Sequence, residues 1–324
     1  MLTKPFNSQK PTSFAIAPLF AAALWLIHGF IDGKSPKSEN WFVFYQLKEL
    51  SNNFFPDLII SFIFLIAGAI LVKKLVEKHQ LLGGPSNLPA IIYILINSCH
   101  SSLYSFHPTL ILNILVILIL DKFFSIYREE RVFPSIFDIG LLAGISSILH
   151  PPFITILPFV FISISIIRAF SWREWGIMGS GIVLPFYATL IILFCIDPNF
   201  NPFFLFEGIS FQLINLNAFN ANDLPIVVVL TIIICLTVKT WIKELKKGVV
   251  KGKKMFSVIN WLCVLSFLSL FMELSFYFPN ISILSLPFTL IFSNYFYNNA
   301  SIIIKEVVFF LLFFVVFYTQ IVLL

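Results

Sequence analysis

The chain has few charged residues. Asp, Glu, Lys and Arg make up 11% of its 324 residues, whereas soluble proteins contain about 25%. Hydrophobic residues make up 59%, and the mean hydropathy is +0.95. Because the hydrophilic stretches are all short, there is no room for a separate soluble domain, and residues 1–324 are predicted to form one membrane-embedded domain.

The motifs of the common nucleotide-dependent and hydrolytic enzymes are absent. The sequence contains no Gly-rich phosphate loop, no dinucleotide-binding fingerprint and no nucleophile elbow. Ionisable residues are also scarce in the centres of the apolar stretches, where ion-coupled transporters place them. These absences argue against nucleotide hydrolysis and against ion-coupled transport.

Metal-binding patterns are lacking as well. The four cysteines, Cys99, Cys195, Cys235 and Cys263, do not have the spacing of a metal site. Cys99 and Cys195 are predicted near the same side of the membrane, so they either pair with each other or remain buried thiols. No histidines have the spacing of a zinc protease. We predict neither a metal ion nor another cofactor.

The chain does contain a long succession of apolar stretches. Their lengths predict about eleven transmembrane helices, and therefore an all-α, polytopic membrane protein. The first stretch lacks a small-residue cleavage site and is interpreted as a retained helix rather than a signal peptide. The predicted spans are residues 14–31, 57–72, 88–104, 108–121, 136–149, 152–169, 176–196, 224–241, 256–272, 280–294 and 303–323.

Lys and Arg are distributed unevenly among the loops. When the eleven spans alternate across a bilayer, all Lys and Arg residues lie on one side except Lys34, Lys37 and Lys48. Because cytoplasmic loops are enriched in Lys and Arg, this side is predicted to be the cytoplasm, with the N-terminus inside and a basic loop at residues 239–255. The net charge of +5 therefore reflects membrane topology rather than nucleic-acid binding.

Two predicted outer loops are longer than the other connections, and long loops usually carry function. The first covers residues 32–56 and includes an aromatic and apolar segment, residues 41–50, that suits a helix lying in the membrane interface. The second covers residues 197–223. These loops hold several of the carboxylates on the predicted outer side.

Asp32 is the carboxylate with the most informative position, directly after the first predicted helix. At the outer membrane boundary it could act as a general base between a lipid-borne donor and a water-borne acceptor. Alternatively, Asp32 and Gly33 simply end the helix. Glu39, Glu49 and Glu207 are weaker candidates, which could contact an acceptor substrate or a metal ion.

Four of the five histidines are predicted at outer helix ends: His28, His100, His107 and His150. A proline follows both His107 and His150, at a first helical turn where its missing N–H costs nothing. Histidine is tolerated in the membrane interface, which is one explanation. The other is a polar, partly positive outer cavity in which His100, His107 and His150 bind a phosphate-bearing substrate.

On the predicted cytoplasmic side, the turn of residues 170–175 reads Phe-Ser-Trp-Arg-Glu-Trp. Tryptophan and a long arginine side chain anchor helices at the level of the lipid headgroups. Trp172, Arg173 and Trp175 are therefore predicted to anchor the chain in the membrane, and docking of a partner is the alternative.

Two resemblances add to this interpretation. The segment 137–152, Phe-Asp-Ile-Gly-Leu-Leu-Ala-Gly-Ile-Ser-Ser-Ile-Leu-His-Pro-Pro, and the turn at 170–175 resemble an uncharacterised family of integral inner-membrane proteins from Bacteroidota. More distantly, the Gly-containing helix, the Pro-bearing hairpin and the two long outer loops are similar to the arrangement of GT-C glycosyltransferases.

The second resemblance implies a function. GT-C enzymes transfer a sugar from a polyprenyl-phosphate carrier, with a catalytic acid in the first outer loop, which Asp32 matches in approximate position. This chain departs from them in having one acid rather than an acidic pair, a short C-terminal region and no outer Arg or Lys cluster. The resemblance implies Asp32 as the base, with His100, His107 and His150 near the carrier phosphate.

The alternative function is non-catalytic. The chain could be an inner-membrane subunit that scaffolds a complex of the cell envelope, in secretion, gliding motility or glycan export. An enzyme should gather Asp32 and the histidines around one cavity that the membrane lipid can reach. A scaffold should bury or scatter the same residues and present an apolar flank to other subunits.

Overall fold

A computed structural model describes residues 25, 54–104, 106–127, 129, 131–196, 228–229, 231–234, 237, 250–272, 278–298 and 302–322. In this part of the chain every regular element is a helix, as predicted. The α-helices are α1 (Phe54–Lys78), α2 (Leu88–Ile96), α3 (Pro108–Ser125), α4 (Phe133–Leu149), α5 (Ile156–Ile167), α6 (Trp172–Ile196), α7 (Val250–Ser269), α8 (Ser285–Asn298) and α9 (Ile302–Val322). Trp25 and the described residues between 228 and 237 are helical too.

Four of the helices are long and apolar enough to cross a membrane: Leu58–Lys78, Pro108–Ser125, Trp172–Cys195 and Val250–Met272. Shorter apolar helices cover Phe133–Leu149, Pro151–Ile167 and Glu306–Tyr318. The number of about eleven spans stays a prediction, because much of 14–31 and 224–241 lies outside the described residues. The loop 197–223 and most of the loop 32–56 also lie outside the described residues. Helix α7 begins inside the predicted basic loop 239–255.

Local sequence explains where several helices begin and end. Pro89 and Pro108 occupy the first turns of α2 and α3, where no N–H is needed for the helical hydrogen-bond pattern. Helix α1 ends in a turn in which the N–H of Leu81 donates a hydrogen bond to the carbonyl of Val76 at 3.1 Å. Gln80, in this turn, has a φ of 52°. This is the usual left-handed helix end, here with Gln in place of the more common Gly.

Ionic contacts between helix ends fix the helix directions. Lys78, at the end of α1, lies 2.7 Å from the carboxylate of Asp121, near the end of α3, so these two helices run parallel. Lys122, also near the end of α3, lies 2.7 Å from Asp138, in the second turn of α4. Helices α3 and α4 are therefore antiparallel.

The same end of the bundle collects further polar contacts. Arg168, which follows α5, pairs with Glu174 of α6 at 3.1 Å. Lys254, in the first turns of α7, donates to the carbonyl of Ile167 at 2.9 Å, so α7 begins where α5 ends. We call this end of the bundle, which holds Lys78, Lys122, Arg168 and Lys254, the basic end.

Helices α4 and α6 form the most intimate helix pair in the described part of the chain. They run parallel, and glycines allow their backbones to touch. A Cβ added at Gly140 would lie 2.2 Å from the main-chain oxygen of Met178, and one added at Gly181 would lie 2.4 Å from that of Phe137. Small residues at such crossings are typical of helices packed in membranes. Along another face, α6 exposes large apolar side chains such as Tyr187 and Phe194.

Candidate functional site

The most unusual backbone lies in the segment predicted as one helix at 88–104. Helix α2 is only nine residues long, and all nine are buried. At 1.5 Å per residue its length is about 14 Å, half the thickness of a bilayer core. The helix ends at Ile96, and a 3-10 turn follows at Ser101–Tyr104. Non-helical backbone at membrane depth is tolerated only where protein groups or water satisfy it.

Side chains donate hydrogen bonds to backbone carbonyls at and beside this break in the helix. The amide of Asn97 donates to the carbonyl of Tyr93 at 2.9 Å, and the hydroxyl of Tyr104 donates to the carbonyl of Ser98 at 3.1 Å. On the side of α1, Ser61 donates to the carbonyl of Tyr104 at 3.1 Å. The indole of Trp25 donates to the Ser98 hydroxyl at 3.4 Å, which ties the N-terminal part of the chain to the break.

A second irregular segment meets the break from the other end of the sequence. The 3-10 turn Phe278–Leu284 precedes α8 and contacts both the first 3-10 turn and α3. The Ser282 hydroxyl donates to Asn97 Oδ1 at 2.8 Å, and Asn113 of α3 donates to the carbonyl of Ser282 at 3.0 Å and to the hydroxyl of Ser285 at 3.0 Å. Asn97, Asn113, Ser282 and Ser285 thus form one buried cluster, the amide cluster.

The histidines lie at the same end of the bundle as the amide cluster. His107 immediately precedes α3, His150 immediately follows α4, and His100 lies in the break after α2. All three are buried, and His107 Nδ1 is hydrogen-bonded to the Thr109 hydroxyl. We call this end of the bundle, which holds His107, His150 and Ser282, the polar end.

Charge separates the two ends of the bundle. Among the residues whose side chains the structure describes, the polar end holds Ser, Thr, Asn, Tyr, Cys and His but no Asp, Glu, Lys or Arg. The predicted outer carboxylates Asp32, Glu39 and Glu207 lie outside the described residues. Within the described part, no three His, Cys, Asp or Glu side chains converge as metal ligands, and Cys99, Cys195 and Cys263 are free thiols.

The predicted anchoring residues lie at the basic end. Trp172 is 79% exposed and Arg173 is exposed beside it, whereas Trp175 is half-buried. The ring of Phe170 contacts both tryptophans, with centroids 5.0 Å apart in each case. Trp172 and Arg173 therefore remain accessible to lipid headgroups, while Trp175 is partly used in packing.

The basic end also holds the remaining histidine. His79 follows α1 and lies 2.8 Å from the Asp121 carboxylate. Burial lowers the pKa of His79 from its ordinary value, although Asp121 opposes this effect. A cleft of about 640 Å³ opens nearby, between the end of α1 and the Gly83–Gly84 turn, at the opposite end of the bundle from His100, His107 and His150.

The amide cluster was not predicted from the sequence. Asn113 is a polar residue inside an otherwise apolar stretch, which was the available signal that it needs a buried partner. Its partner Ser282 lies 169 residues away, so the sequence alone could not identify the contact. The break in α2 also had a signal, the polar run from Asn97 to Ser102.

Replacing Asn113 by leucine should lower the free energy of unfolding by about 1–2 kcal/mol, because the buried carbonyl of Ser282 loses its donor. Thermal unfolding of the purified protein in detergent would measure the change. The control is Thr189→Val, since the Thr189 hydroxyl donates to the carbonyl of Pro185 in its own helix. Equal effects of the two substitutions would contradict a special role of the amide cluster.

The apolar helices, their lengths and the burial of the polar backbone breaks define a helical membrane protein. Comparison with known families refines this class. The chain belongs to DUF6427, a family of unknown function, whose profile matches residues 40–323. No curated protein and no solved structure matches the chain.

Proposed function

We propose that the chain is a membrane-embedded transferase of GT-C-like architecture, which moves a sugar from a polyprenyl-phosphate carrier to an acceptor at the polar end. One observation carries the proposal: three histidines and a set of uncharged hydrogen-bonding groups collect at one end of the bundle, while the charged side chains described in the structure lie at the other. By the enrichment of Lys and Arg in cytoplasmic loops, the polar end faces the periplasm across the bacterial inner membrane.

Chain connectivity supports a role for Asp32 at this end. Trp25 contacts Ser98, and its ring packs on Tyr104 with centroids 5.1 Å apart. Asp32 follows Trp25 by seven residues, and a fully extended chain spans at most about 25 Å over that length. Within this reach, Asp32 is proposed to lie at the polar end, and Glu39 and Glu207 are proposed to contact the acceptor there.

The proposed reaction needs no group beyond these residues and the two substrates. The Asp32 carboxylate takes the proton of an acceptor hydroxyl, whose oxygen forms a bond to the anomeric carbon of the sugar. The bond between that carbon and the phosphate oxygen breaks, and polyprenyl phosphate leaves with the electron pair. Since the polar end has no described Lys or Arg, His100, His107 and His150 are proposed to stabilise the charge of the leaving phosphate.

The test is a transfer assay with the protein in lipid vesicles. Undecaprenyl phosphate carrying radiolabelled glucose, mannose, N-acetylglucosamine or arabinose is supplied with an extract of the cell envelope as acceptor. We expect at least one donor to be consumed faster than in vesicles without the protein, with release of undecaprenyl phosphate. No turnover of any of the four donors would contradict the proposal.

A second function, a non-catalytic subunit of an envelope complex, is favoured by the burial of His100, His107 and His150, since a scaffold is expected to bury these residues. The side-chain hydrogen bonds of the amide cluster are directed at its own members and at nearby backbone, as in a rigid core. If this function holds, gentle extraction from native membranes should yield a complex of fixed stoichiometry with other inner-membrane subunits, and the transfer assay should fail.

A further inference from the structure

Two helices begin side by side at the basic end of the bundle. Gly140 of α4 lies against the main chain of Met178 in α6. Gly140 follows Phe133, the first residue of α4, by seven residues, and Met178 follows Trp172, the first residue of α6, by six. Because α4 and α6 are parallel, their first residues lie at the same level to within about one helical turn.

Aromatic and basic side chains are exposed around these two helix starts. Phe133 is 48% exposed, Phe170 54% and Trp172 79%, and Arg131 and Arg173 are exposed as well. Three large exposed rings beside two guanidinium groups are typical of a surface that contacts another molecule or the membrane. We call Arg131, Phe133, Phe170, Trp172 and Arg173 the aromatic-basic patch.

The charge at the level of this patch is positive. The two acidic side chains described there are Glu129, which is exposed, and Glu174, which is buried and pairs with Arg168 at 3.1 Å. Together with Arg131 and Arg173, the arginines outnumber these carboxylates. A guanidinium group binds the oxygens of a phosphate through two parallel N–H donors, so the charge of the patch is complementary to a phosphate-bearing group with net negative charge.

An exposed apolar stripe of α6 continues from the patch. Val183 is 62% exposed and Tyr187 is 64% exposed, and both follow Arg173 at helical spacing. Between them, a Cβ added at Gly176 or at Gly179 would meet no atom of the described chain within 4 Å, so this part of the stripe is shallow. The stripe measures about 21 Å from Arg173 to Tyr187, slightly more than the hydrocarbon thickness of one leaflet, about 15 Å.

We propose that the aromatic-basic patch and the apolar stripe of α6 together bind a phospholipid with an anionic headgroup, such as phosphatidylglycerol. Arg131 and Arg173 contact the phosphate, and the rings lie at the level of the lipid interface. The acyl chains cover the stripe. A zwitterionic headgroup fits less well, because its ammonium group would meet the same arginines. This inference goes beyond membrane anchoring in selecting one class of lipid, and it does not depend on the proposed transferase activity.

The experiment measures the affinity of the full-length protein in detergent for two probes by native mass spectrometry. The probes are phosphatidylglycerol and phosphatidylcholine with identical acyl chains. The variant is Arg131→Gln with Arg173→Gln, which removes both exposed guanidinium groups. The control is Lys251→Gln with Lys253→Gln, which makes the same change of charge at exposed positions in the first turn of α7. Lys251 lies close enough to His79 to oppose its protonation, and therefore on the α1 side of the bundle.

The wild-type protein and the lysine control should bind phosphatidylglycerol more tightly than phosphatidylcholine. The arginine variant should lose this preference. Its affinity for phosphatidylglycerol should fall by about tenfold or more, since each basic residue near an anionic headgroup contributes a factor of about five. Added salt should weaken the preference of the wild-type protein, because it screens exposed charges. The thermal stability of the variants should match that of the wild-type protein, since the substituted side chains are exposed.

Equal affinity of the wild-type protein for the two lipids would overturn the proposal. So would an equal loss of preference in the lysine control, which would assign the selectivity to the general charge of the basic end. If the arginine variant is destabilised, the unsubstituted patch is tested with brominated lipids. Brominated phosphatidylglycerol should quench the fluorescence of Trp172, measured as the difference between wild type and Trp172→Phe, more than brominated phosphatidylcholine does. Equal quenching by the two lipids would contradict the proposal.

Discussion

Asp32→Asn should lower the rate of sugar transfer by about 10²–10⁴-fold, the range expected when a general base is lost. Asparagine keeps the size and the hydrogen-bonding oxygen of aspartate but cannot take the proton of the acceptor hydroxyl. The binding of undecaprenyl phosphate should change little, since the histidines and not Asp32 are proposed to contact the phosphate. The transfer assay in vesicles and native mass spectrometry measure these two quantities separately.

The control for this substitution is Asp57→Asn. Asp57 lies in the first turn of α1, at the end of that helix opposite Lys78, and has no assigned role in the reaction. We expect transfer by this variant to stay within about twofold of the wild-type rate. If Asp32→Asn retains full activity, Asp32 is the end of a helix and not the base.

Gly140→Ala should destabilise the protein by about 1–3 kcal/mol, the cost of overpacking a close contact. The new Cβ would lie 2.2 Å from the main-chain oxygen of Met178, and backbone cannot move aside as the end of a flexible side chain can. Helices α4 and α6 would therefore have to separate along much of their length. Thermal unfolding in detergent measures the loss.

The matched control lies in the same pair of helices. A Cβ added at Gly179 of α6 would meet no atom of the described chain within 4 Å, so Gly179→Ala should be neutral or should stabilise the helix by up to about 1 kcal/mol. The two substitutions make the same chemical change and are expected to act in opposite directions. Equal destabilisation by both would show that the α4–α6 contact is not as close as the structure has it.

The general fold follows from the sequence more directly than the site does. Length and hydropathy predict the apolar helices, and the prolines mark the beginnings of α2 and α3. The same apolar signal cannot distinguish a membrane-spanning helix from a short buried one. For that reason α2 was predicted to continue to residue 104, whereas it ends at Ile96 and its polar continuation turns towards Ser282.

The distribution of charge was equally informative. Lys78, Lys122, Arg168 and Lys254 were predicted on one side of the membrane, and the structure collects them at one end of the bundle. Their individual partners depend on the directions of the helices, which the sequence does not contain. Asn113 and Ser282 illustrate the same point, because they are 169 residues apart in the sequence and only the packing of α3 against the turn before α8 brings them together.

A cryo-EM map of the protein extracted gently from native membranes would test most directly whether the polar end receives a lipid carrier. We expect elongated lipid density that enters at the polar end and places a headgroup near His107 and His150. Density for ordinary lipids around the bundle alone, with a polar end filled by protein side chains, would contradict this expectation. Additional subunits packed on the bundle in such a map would identify the chain as part of an envelope complex instead.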